Sequence, residues 1–295
     1  MPSLKHLKTR IKGINSTKKI TQAMKIVSAS GLRSVQSSIN SSDAYLKGFQ
    51  RLLIDVNNKN PELFRRFISL FKNKKESNVL FVVFGSDKGL CGSFNSKITS
   101  YITSKLQANY NAKIFCVGNK ISQYMQVHHK ENIEKHVPFF RKNNKKVSYN
   151  ASTLLSSEIK DVFFNGEFSE CRIVYTKFKS VLNQQVEDIK LLPLQIDEIE
   201  NLSCFAKSDK EIFEFDNNLE IILEKLIQNY INATVLHVCS NNLTCEHSAR
   251  MLAMDSATKN SDKMLKELNL LYNRSRQAII TKELIEIISG AEATN

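Results

Sequence analysis

The stretch ARMLAMDSATKNSDKMLKELNLLYNRSRQAIITKELIEIISGA occupies residues 249–291 and has the composition of a long helix. Most of it lies in residues 194–289, which contain neither Gly nor Pro, the two residues that most often interrupt local structure. We therefore predict one helix from about residue 209 to residue 289, on the order of 120 Å long at ~1.5 Å per residue. A compact globule of this chain length has a radius of gyration of only about 19 Å, so we expect the helix to extend beyond any compact body.

A coiled-coil seam runs along this predicted helix. Small and apolar residues recur at alternating spacings of three and four, the pattern that packs one helix against another. The seam residues are Met251, Met254, Thr258, Ser261, Leu265, Leu268, Tyr272, Ser275 and Ile279. The helix therefore needs a helical partner.

The first sixty residues supply that partner. Ser3 fits an N-cap, and the apolar seam that follows shifts register twice, which predicts an irregular supercoil. Gly13 and Gly31 each weaken a helix by about 1 kcal/mol relative to Ala, so we expect antiparallel packing against the C-terminal helix to hold it. The three blocks of the seam are Leu4, Leu7, Ile11 and Ile14, then Ile20, Met24 and Val27, then Leu32, Val35 and Ile39.

Strand and helix patterns alternate between the two long helices, which predicts a Rossmann-like α/β domain with a mostly parallel sheet. Predicted strands cover residues 78–84, 113–117, 171–178 and 185–192, with a further candidate within 128–146; predicted helices cover 93–110, 119–128 and 151–164. The fold class is thus α/β, with a long antiparallel coiled coil. The expected domains are a long N-terminal helix at 1–60, the central domain at 76–195 and a long C-terminal helix at 208–290.

Charge and composition limit the function. The 295-residue chain has a net charge of +13, and its first fifty residues hold nine Lys or Arg against one acid, Asp43. Such an excess predicts an acidic partner: nucleic acid, an anionic membrane or an acidic protein. Residues 1–44 contain no Phe, Trp or Tyr for base stacking, which favours an acidic protein over nucleic acid. The start of the chain lacks an apolar signal sequence, and the longest apolar run, VLFVVF, is too short to cross a membrane.

The glycine-rich stretch GSDKGLCGSFN, residues 85–95, follows an apolar strand and invites a nucleotide-binding interpretation. Its glycines match neither the dinucleotide fingerprint nor the P-loop, so an architectural turn is the preferred interpretation. Cys91 would need a base and a lowered pKa to act as a nucleophile, and the sequence places no His nearby.

Four potential zinc ligands, His237, Cys239, Cys245 and His247, lie within HVCSNNLTCEH. On a continuous helix, at about 100° per residue, their side chains point around the whole circumference and cannot share one metal. Only a helix break at SNN would bring them together, so we expect no metal site.

The end of the predicted C-terminal helix is apolar on most sides. Helices of that kind are normally buried all round, yet this end lies on a helix too long to be housed by its own chain. Either another protein encloses it or it is an aggregation hazard. The residues concerned are Ala278, Ile279, Ile280, Leu284, Ile285, Ile287 and Ile288.

The chain resembles the γ subunit family of F-type ATP synthases, the central shaft of a rotary motor. The resemblance covers nearly the whole chain and is carried by STKKITQAMKIVSAS, by SDKGLCGSFN and above all by the stretch at 249–291. Departures from the family pattern at Gly31, Lys88 and Ser93 are minor. The resemblance implies a shaft without a catalytic residue, cofactor or metal of its own.

The same resemblance implies where partners bind. The tip residues Ile279, Ile280, Leu284 and Ile288 would turn in an apolar sleeve formed by three α and three β subunits. Lys18, Lys19 and Lys25, with Met24 on a nearby helix face, would meet an acidic loop of the β subunits. Arg276 and Gln277 would hydrogen-bond to a β-subunit catch loop. The ε subunit and the c-ring would contact the central domain, at the cytoplasmic face of a bacterial inner membrane.

Two other classes of protein remain to be distinguished from a shaft. An α/β enzyme with helical appendages would need a phosphate loop or a convergent cluster of titratable residues. A coiled-coil protein that binds nucleic acid would lose binding steeply as salt rises.

Overall fold

A computed structural model describes residues 3–70, 78–108, 111–139, 148–166, 168–194 and 219–292. The chain forms two compact units. One consists of the two ends of the chain, up to Ala29 and from Arg250 onward, and we call it the shaft unit. The other, Ser30–Ala249, is the central unit.

A five-stranded sheet forms the middle of the central unit as far as it is described. Its strand order is β3-β2-β1-β4-β5, and only β5 runs antiparallel to its neighbour. The strands are β1 at Val79–Phe84, β2 at Ala112–Val117, β3 at Ile133–Val137, β4 at Glu170–Phe178 and β5 at Gln184–Leu192. Each predicted strand, including the candidate within 128–146, corresponds to one of these, so the mostly parallel sheet is confirmed.

Helices cover both faces of this sheet. Alternate residues of β1 enter two separate apolar clusters because successive side chains on a strand point to opposite faces. Leu80 packs in the cluster that the helix at Tyr149–Asn165 and both long helices complete, whereas Phe81 packs in the cluster formed with the helices at Phe94–Ala108 and Asn119–His128. The helices are α1 at Leu4–Lys59, α2 at Pro61–Leu70, α3 at Phe94–Ala108, α4 at Asn119–His128, α5 at Tyr149–Asn165 and α6 at Leu219–Glu292.

The C-terminal helix α6 is uninterrupted over 74 residues, as the absence of Gly and Pro predicted. The predicted start near residue 209 lies outside the described residues. Within the central unit, every side chain of α6 between Tyr230 and Ala249 is buried or half-buried, so this part of the helix is enclosed on all sides. It is a core element of that unit.

The predicted seam of α1 is wrong in its middle block. Buried or half-buried residues recur along the whole of α1 at one uninterrupted three-and-four spacing, so the register does not shift. Thr21 and Ser28 are buried, whereas Ile20 and Val27 are 61 % and 70 % exposed. The prediction followed hydrophobicity, but here polar residues occupy the contact face of the helix. The observed seam is Leu7, Ile11, Ile14, Lys18, Thr21, Lys25, Ser28, Leu32, Val35, Ile39, Ser42, Leu46, Phe49, Leu53 and Val56.

Candidate partner-binding surfaces

Three polar contacts fix how α1 and α6 pair in the shaft unit. Lys18 forms an ion pair with Asp262, with Nζ and Oδ1 2.5 Å apart. Seven residues further along α1, Lys25 pairs with Asp255, seven residues back along α6, at 2.6 Å. Between them the hydroxyls of Thr21 and Thr258 lie 2.8 Å apart. Residue numbers rise along α1 while those of the partner residues on α6 fall, so the two helices pair antiparallel, as predicted.

The same register accounts for burial toward the end of the shaft. Stepping outward from the Thr21–Thr258 pair by equal numbers of residues places Leu7 level with Tyr272 and Leu4 level with Ser275. Leu7 and Ser275 are buried, and the other two are half-buried. Of the predicted α6 seam, Ile279 alone is exposed, at 40 %. In the described register, α1 has no residue left to cover α6 beyond Ser275.

The final turns of α6 therefore form an exposed apolar tip, which we define as residues 276–290. Every side chain in it is exposed. The predicted sleeve residues all lie there, and their exposed fractions are 40 % for Ile279, 47 % for Ile280, 53 % for Leu284 and 57 % for Ile288. Exposed apolar residues of this kind mark an interaction site or an aggregation hazard. The tip residues, whose pattern predicts burial, are therefore exposed in this chain.

Arg276 and Gln277 lie at the base of the tip, where α1 ends its coverage. Both side chains are exposed. The backbone carbonyl of Gln277 accepts a hydrogen bond from the Thr281 hydroxyl at 3.0 Å. Within the described part of the chain, Arg276 has no ion-pair partner. A guanidinium and an amide side by side can make several directed hydrogen bonds to one partner loop.

The predicted basic contact residues fall into two groups. Lys18 and Lys25 are held by aspartates of their own chain, whereas Lys19 is exposed and forms no ion pair with the residues described. Hydrogen bonds from Lys25 and Lys259 lower the pKa of Asp255 to about 2, which keeps its charge at every physiological pH.

An exposed apolar stripe lies beside Lys19 on α1. Met24 is half-buried and Ile20 and Val27 are exposed, and the spacing of four and three places them on one helix face. Hydrophobic periodicity alone assigned this stripe to the seam. A seam continued at heptad spacing from Ile14 through Thr21 and Ser28 to Leu32 would have identified the stripe as a surface.

Residues of the turn at 85–95 form hydrogen bonds with one another. Asn95, in the first turn of α3, bonds through its amide to the backbone nitrogen and hydroxyl of Ser86 and to Sγ of Cys91, at 3.2, 2.8 and 3.2 Å. Cys91 is buried, and neither of these neighbours is a general base. The observed contacts therefore favour the architectural interpretation over a nucleophilic cysteine.

The same turn ties the central unit together. Asp87 accepts hydrogen bonds from the backbone nitrogens of Asn119 and Phe139 at 3.1 and 3.0 Å, which joins the ends of β1, β2 and β3. The Gly85 carbonyl accepts a bond from the Asn242 amide of α6 at 3.1 Å. The turn thereby fastens the sheet to the helix that continues into the shaft unit.

The four potential zinc ligands do not converge. Cys239 packs in one apolar cluster and Cys245 in the other, so they face different sides of α6. Among the described residues, no three His, Cys, Asp or Glu side chains are grouped as a metal would require. None of the described helices is both long enough and apolar enough to cross a membrane.

The sequence of this chain is similar to ATP synthase sequences over nearly its whole length. A model of the ATP synthase family, described as "ATP synthase", matches residues 3–294. The ATP synthase gamma chain of Granulibacter bethesdensis is 36 % identical over 303 aligned residues, which cover 99 % of this chain and all of the relative. The gamma chains of Sinorhizobium medicae and Pelagibacter ubique are each 34 % identical at the same coverage.

Solved structures share the fold at lower identity. The rotor of the Euglena gracilis mitochondrial ATP synthase matches with a TM-score of 0.68 and 17 % identity, over 94 % of this chain and 98 % of that one. The central stalk and c-ring structure from Tetrahymena thermophila contains a chain that matches with a TM-score of 0.61 and 21 % identity, over 81 % and 99 %. Long terminal helices around a mostly parallel sheet are thus a fold already known in rotary machinery.

Proposed function

Because the chain belongs to the ATP synthase gamma-chain family, we propose how its surfaces engage the other subunits of that motor. Family membership makes it the central rotor shaft of an F1Fo ATP synthase, a subunit whose task is mechanical. The chain carries no catalytic site, because ATP is made on the β subunits. What it contributes is an asymmetric shaft whose angle favours a different conformation at each catalytic site, so that rotation shifts their populations in turn.

The apolar tip turns inside a sleeve formed by three α and three β subunits. The supporting observation is that residues 276–290 are apolar on most sides and exposed, because α1 does not extend far enough to cover them. Apolar contact is non-directional, so a sleeve can enclose the tip with little preference for angle. Low angular preference is what a bearing needs.

Arg276 and Gln277 form a directional contact just below that bearing. Their exposed donors hydrogen-bond to a loop of a β subunit, and such bonds are made and broken at particular angles. A charge-assisted hydrogen bond is typically worth about 1.5–3 kcal/mol, enough to favour one rotor position over another.

Lys19 and the apolar stripe beside it contact an acidic loop of the β subunits. Lys19 offers an exposed ammonium, while Ile20, Met24 and Val27 offer apolar area on the neighbouring face. Lys18 and Lys25 add positive potential at this level, but their closest carboxylates belong to Asp262 and Asp255 of the same chain. We therefore assign the direct contact to Lys19.

The central unit lies at the foot of the rotor, against the ε subunit and the c-ring. The solved relatives whose titles name a rotor, an F1/c-ring assembly or a central stalk support this placement. The bacterial origin of the gamma-chain relatives supports a location on the cytoplasmic face of a bacterial inner membrane, peripheral to it. The driving ion of this proposal is the proton.

The single observation that carries these assignments is the uncovered apolar tip, and its removal is the test. The chain is co-expressed with the α and β subunits of the same cell, and the complex is purified through a tag on β. We expect one copy of this chain for three α and three β subunits, together with ATPase activity.

Polar substitution of the tip should weaken that complex. The variant Ile279→Ser, Leu284→Ser, Ile288→Ser removes apolar area and should lower affinity for the ring about tenfold or more, because each buried aliphatic side chain contributes about 1.5–3 kcal/mol. A matched control replaces Val127, Leu154 and Leu182, which are at least as exposed but lie in the central unit. Equal affinity of the tip variant and the control variant would contradict the sleeve.

A further inference from the structure

Side chains of α6 in the central unit fasten this helix to β4 and to the β4–β5 hairpin. Asn241 is buried, and its side-chain oxygen accepts a hydrogen bond from the backbone nitrogen of Phe178, the last residue of β4, at 3.2 Å. Cys245 and Ser248 donate to backbone carbonyls of the same strand and of the hairpin turn, at 3.4 and 3.0 Å. The Asn241 side chain also contacts the imidazole of His237, one turn back along α6.

The contacts of Asn241 determine the protonation state of this imidazole. A backbone nitrogen can only donate, so Oδ1 of Asn241 faces Phe178 and Nδ2 faces the other way. Nδ2 lies 3.1 Å from Nε2 of His237 and 3.0 Å from the His237 carbonyl. An amide nitrogen also can only donate, so Nε2 accepts. His237 is therefore neutral and carries its proton on Nδ1.

A charged imidazole does not fit the same contacts. It would have an N–H group on both ring nitrogens. The group on Nε2 would point at Nδ2 of Asn241, which is itself a donor, and Nδ1 is buried without a hydrogen-bond partner among the described residues. Protonation of His237 thus removes one hydrogen bond, opposes two donors and gains no bond in return.

The charged groups around His237 oppose one another. On α1, Lys47 pairs with Asp43 at 2.7 Å, and on the sheet Lys177 of β4 pairs with Glu187 of β5 at 3.1 Å. Burial has the largest effect and lowers the pKa of His237, while the two carboxylates raise it and the two ammonium groups lower it. Burial and hydrogen bonding therefore both favour the neutral ring.

We propose that His237 and Asn241 form a pH-sensitive latch that holds α6 to the end of β4. The unfolded chain binds the additional proton below about pH 6.5, the ordinary pKa of His, before the folded chain does. The latch therefore stabilises the fold fully above that pH and loses its contribution as the pH falls toward the lowered pKa of the folded state. It lies within the central unit, so it stands whether or not the tip binds a sleeve.

Nitrogen NMR of the purified full-length chain, labelled with isotope-enriched histidine, reports the latch directly. The chain has six His residues, and loss of a signal in the variant His237→Gln identifies the ring concerned. At pH 8 we expect the proton of His237 on Nδ1, with Nε2 as the acceptor. A proton on Nε2 at that pH would overturn the latch.

The variant Asn241→Asp should reverse the response to pH. A carboxylate can accept from the Phe178 nitrogen and from a charged His237 together, so the pKa of His237 should rise above its ordinary value. Asn183→Asp is the matched control, because it adds the same charge to the exposed hairpin turn and should leave the pKa of His237 lowered. A pKa of His237 that stays lowered in Asn241→Asp would contradict the assigned contact.

Hydrogen exchange of the Phe178 amide measures whether the latch opens. Its protection, corrected for the intrinsic rate at each pH, should fall about tenfold as the pH falls through the pKa measured for His237. The Lys179 amide, which bonds to the Asn183 carbonyl at 3.3 Å within the hairpin, is the internal control. In His237→Gln the side-chain oxygen can accept from Asn241 without titrating, so protection should stay constant. No fall in the unmodified chain, or an equal fall in this variant, would overturn the latch.

Discussion

At the scale of single residues, Gly85 shows what the glycine-rich turn is for. A Cβ at this position would overlap Cγ1 of Ile121, which is fully buried in α4. The glycine allows β1 and α4 to approach closely, and its carbonyl remains available to the Asn242 amide. The turn is glycine-rich for packing, and its hydrogen bonds join parts of one chain.

Gly85→Ala should therefore destabilise the protein by about 1–3 kcal/mol, the usual cost of overpacking a rigid core. The measurement is the free energy of unfolding from urea denaturation. Gly89→Ala in the same turn is the control, because its Cβ would meet only Cε of Lys120 at 3.8 Å, an ordinary contact. Similar stabilities for the two variants would contradict the packing role of Gly85.

The buried cysteines provide a second residue-scale prediction. Burial raises the pKa of Cys116 and of Cys239 to about 12, and it also raises the pKa values of Cys171 and Cys245. A raised pKa leaves almost no thiolate at pH 8, and the thiolate is the reactive form.

In a Cys204→Ser variant, the folded protein should react with maleimide at pH 8 at least a hundredfold more slowly than the urea-unfolded protein, in which all five remaining thiols should react. Mass spectrometry counts the modified thiols. Fast labelling of the folded protein would show that a thiol is accessible and reactive, which would contradict the burial of all five thiols.

At the scale of elements, the pairing of α1 with α6 gives a pH dependence with a defined sign. The pKa of Asp255 is lowered to about 2 in the folded state, against an ordinary value near 3.9 in an unfolded chain. The unfolded state therefore binds more protons in this range, so the ion pair stabilises the fold above about pH 4 and loses its contribution as the pH falls through 2.

Asp255→Asn should lower the Tm by a constant amount between pH 5 and pH 7, and the difference from the unmodified chain should shrink to zero near pH 2. Thermal unfolding followed by circular dichroism measures both. A difference that grows on acidification would mean that the carboxylate destabilises the folded state, against the hydrogen bonds from Lys25 and Lys259.

Whether the sequence predicts an element correctly depends on which contacts bury its residues. The strands and α6 were predictable because burial on all sides and the absence of Gly and Pro leave a plain local signal. The middle of the α1 seam was not, because Ile20 and Val27 face outward while Thr21 and Ser28 face α6. Hydrophobicity indicates that a residue is buried, but it does not indicate whether its own chain or a partner buries it. A subunit that works inside an assembly can therefore have apolar residues on two faces of one helix.

In the whole molecule, the central unit and the tip differ in what can bury their apolar residues. The central unit has a core of its own on both faces of its sheet. The tip has none, and we propose that the other subunits bury its exposed apolar residues. A chain without a catalytic site can still control catalysis, because each rotor angle can bind one β-subunit conformation more tightly than the others.

The most direct test of the rotor assignment is to watch the chain turn. Leu182, which is 84 % exposed in the β4–β5 hairpin, is replaced by Cys in the Cys204→Ser background, and a bead is attached to it in a complex whose α and β subunits are fixed to a surface. We predict continuous rotation in one direction when ATP is added and none without it. A complex that contains one copy of this chain and hydrolyses ATP while the bead stays still would contradict the central claim.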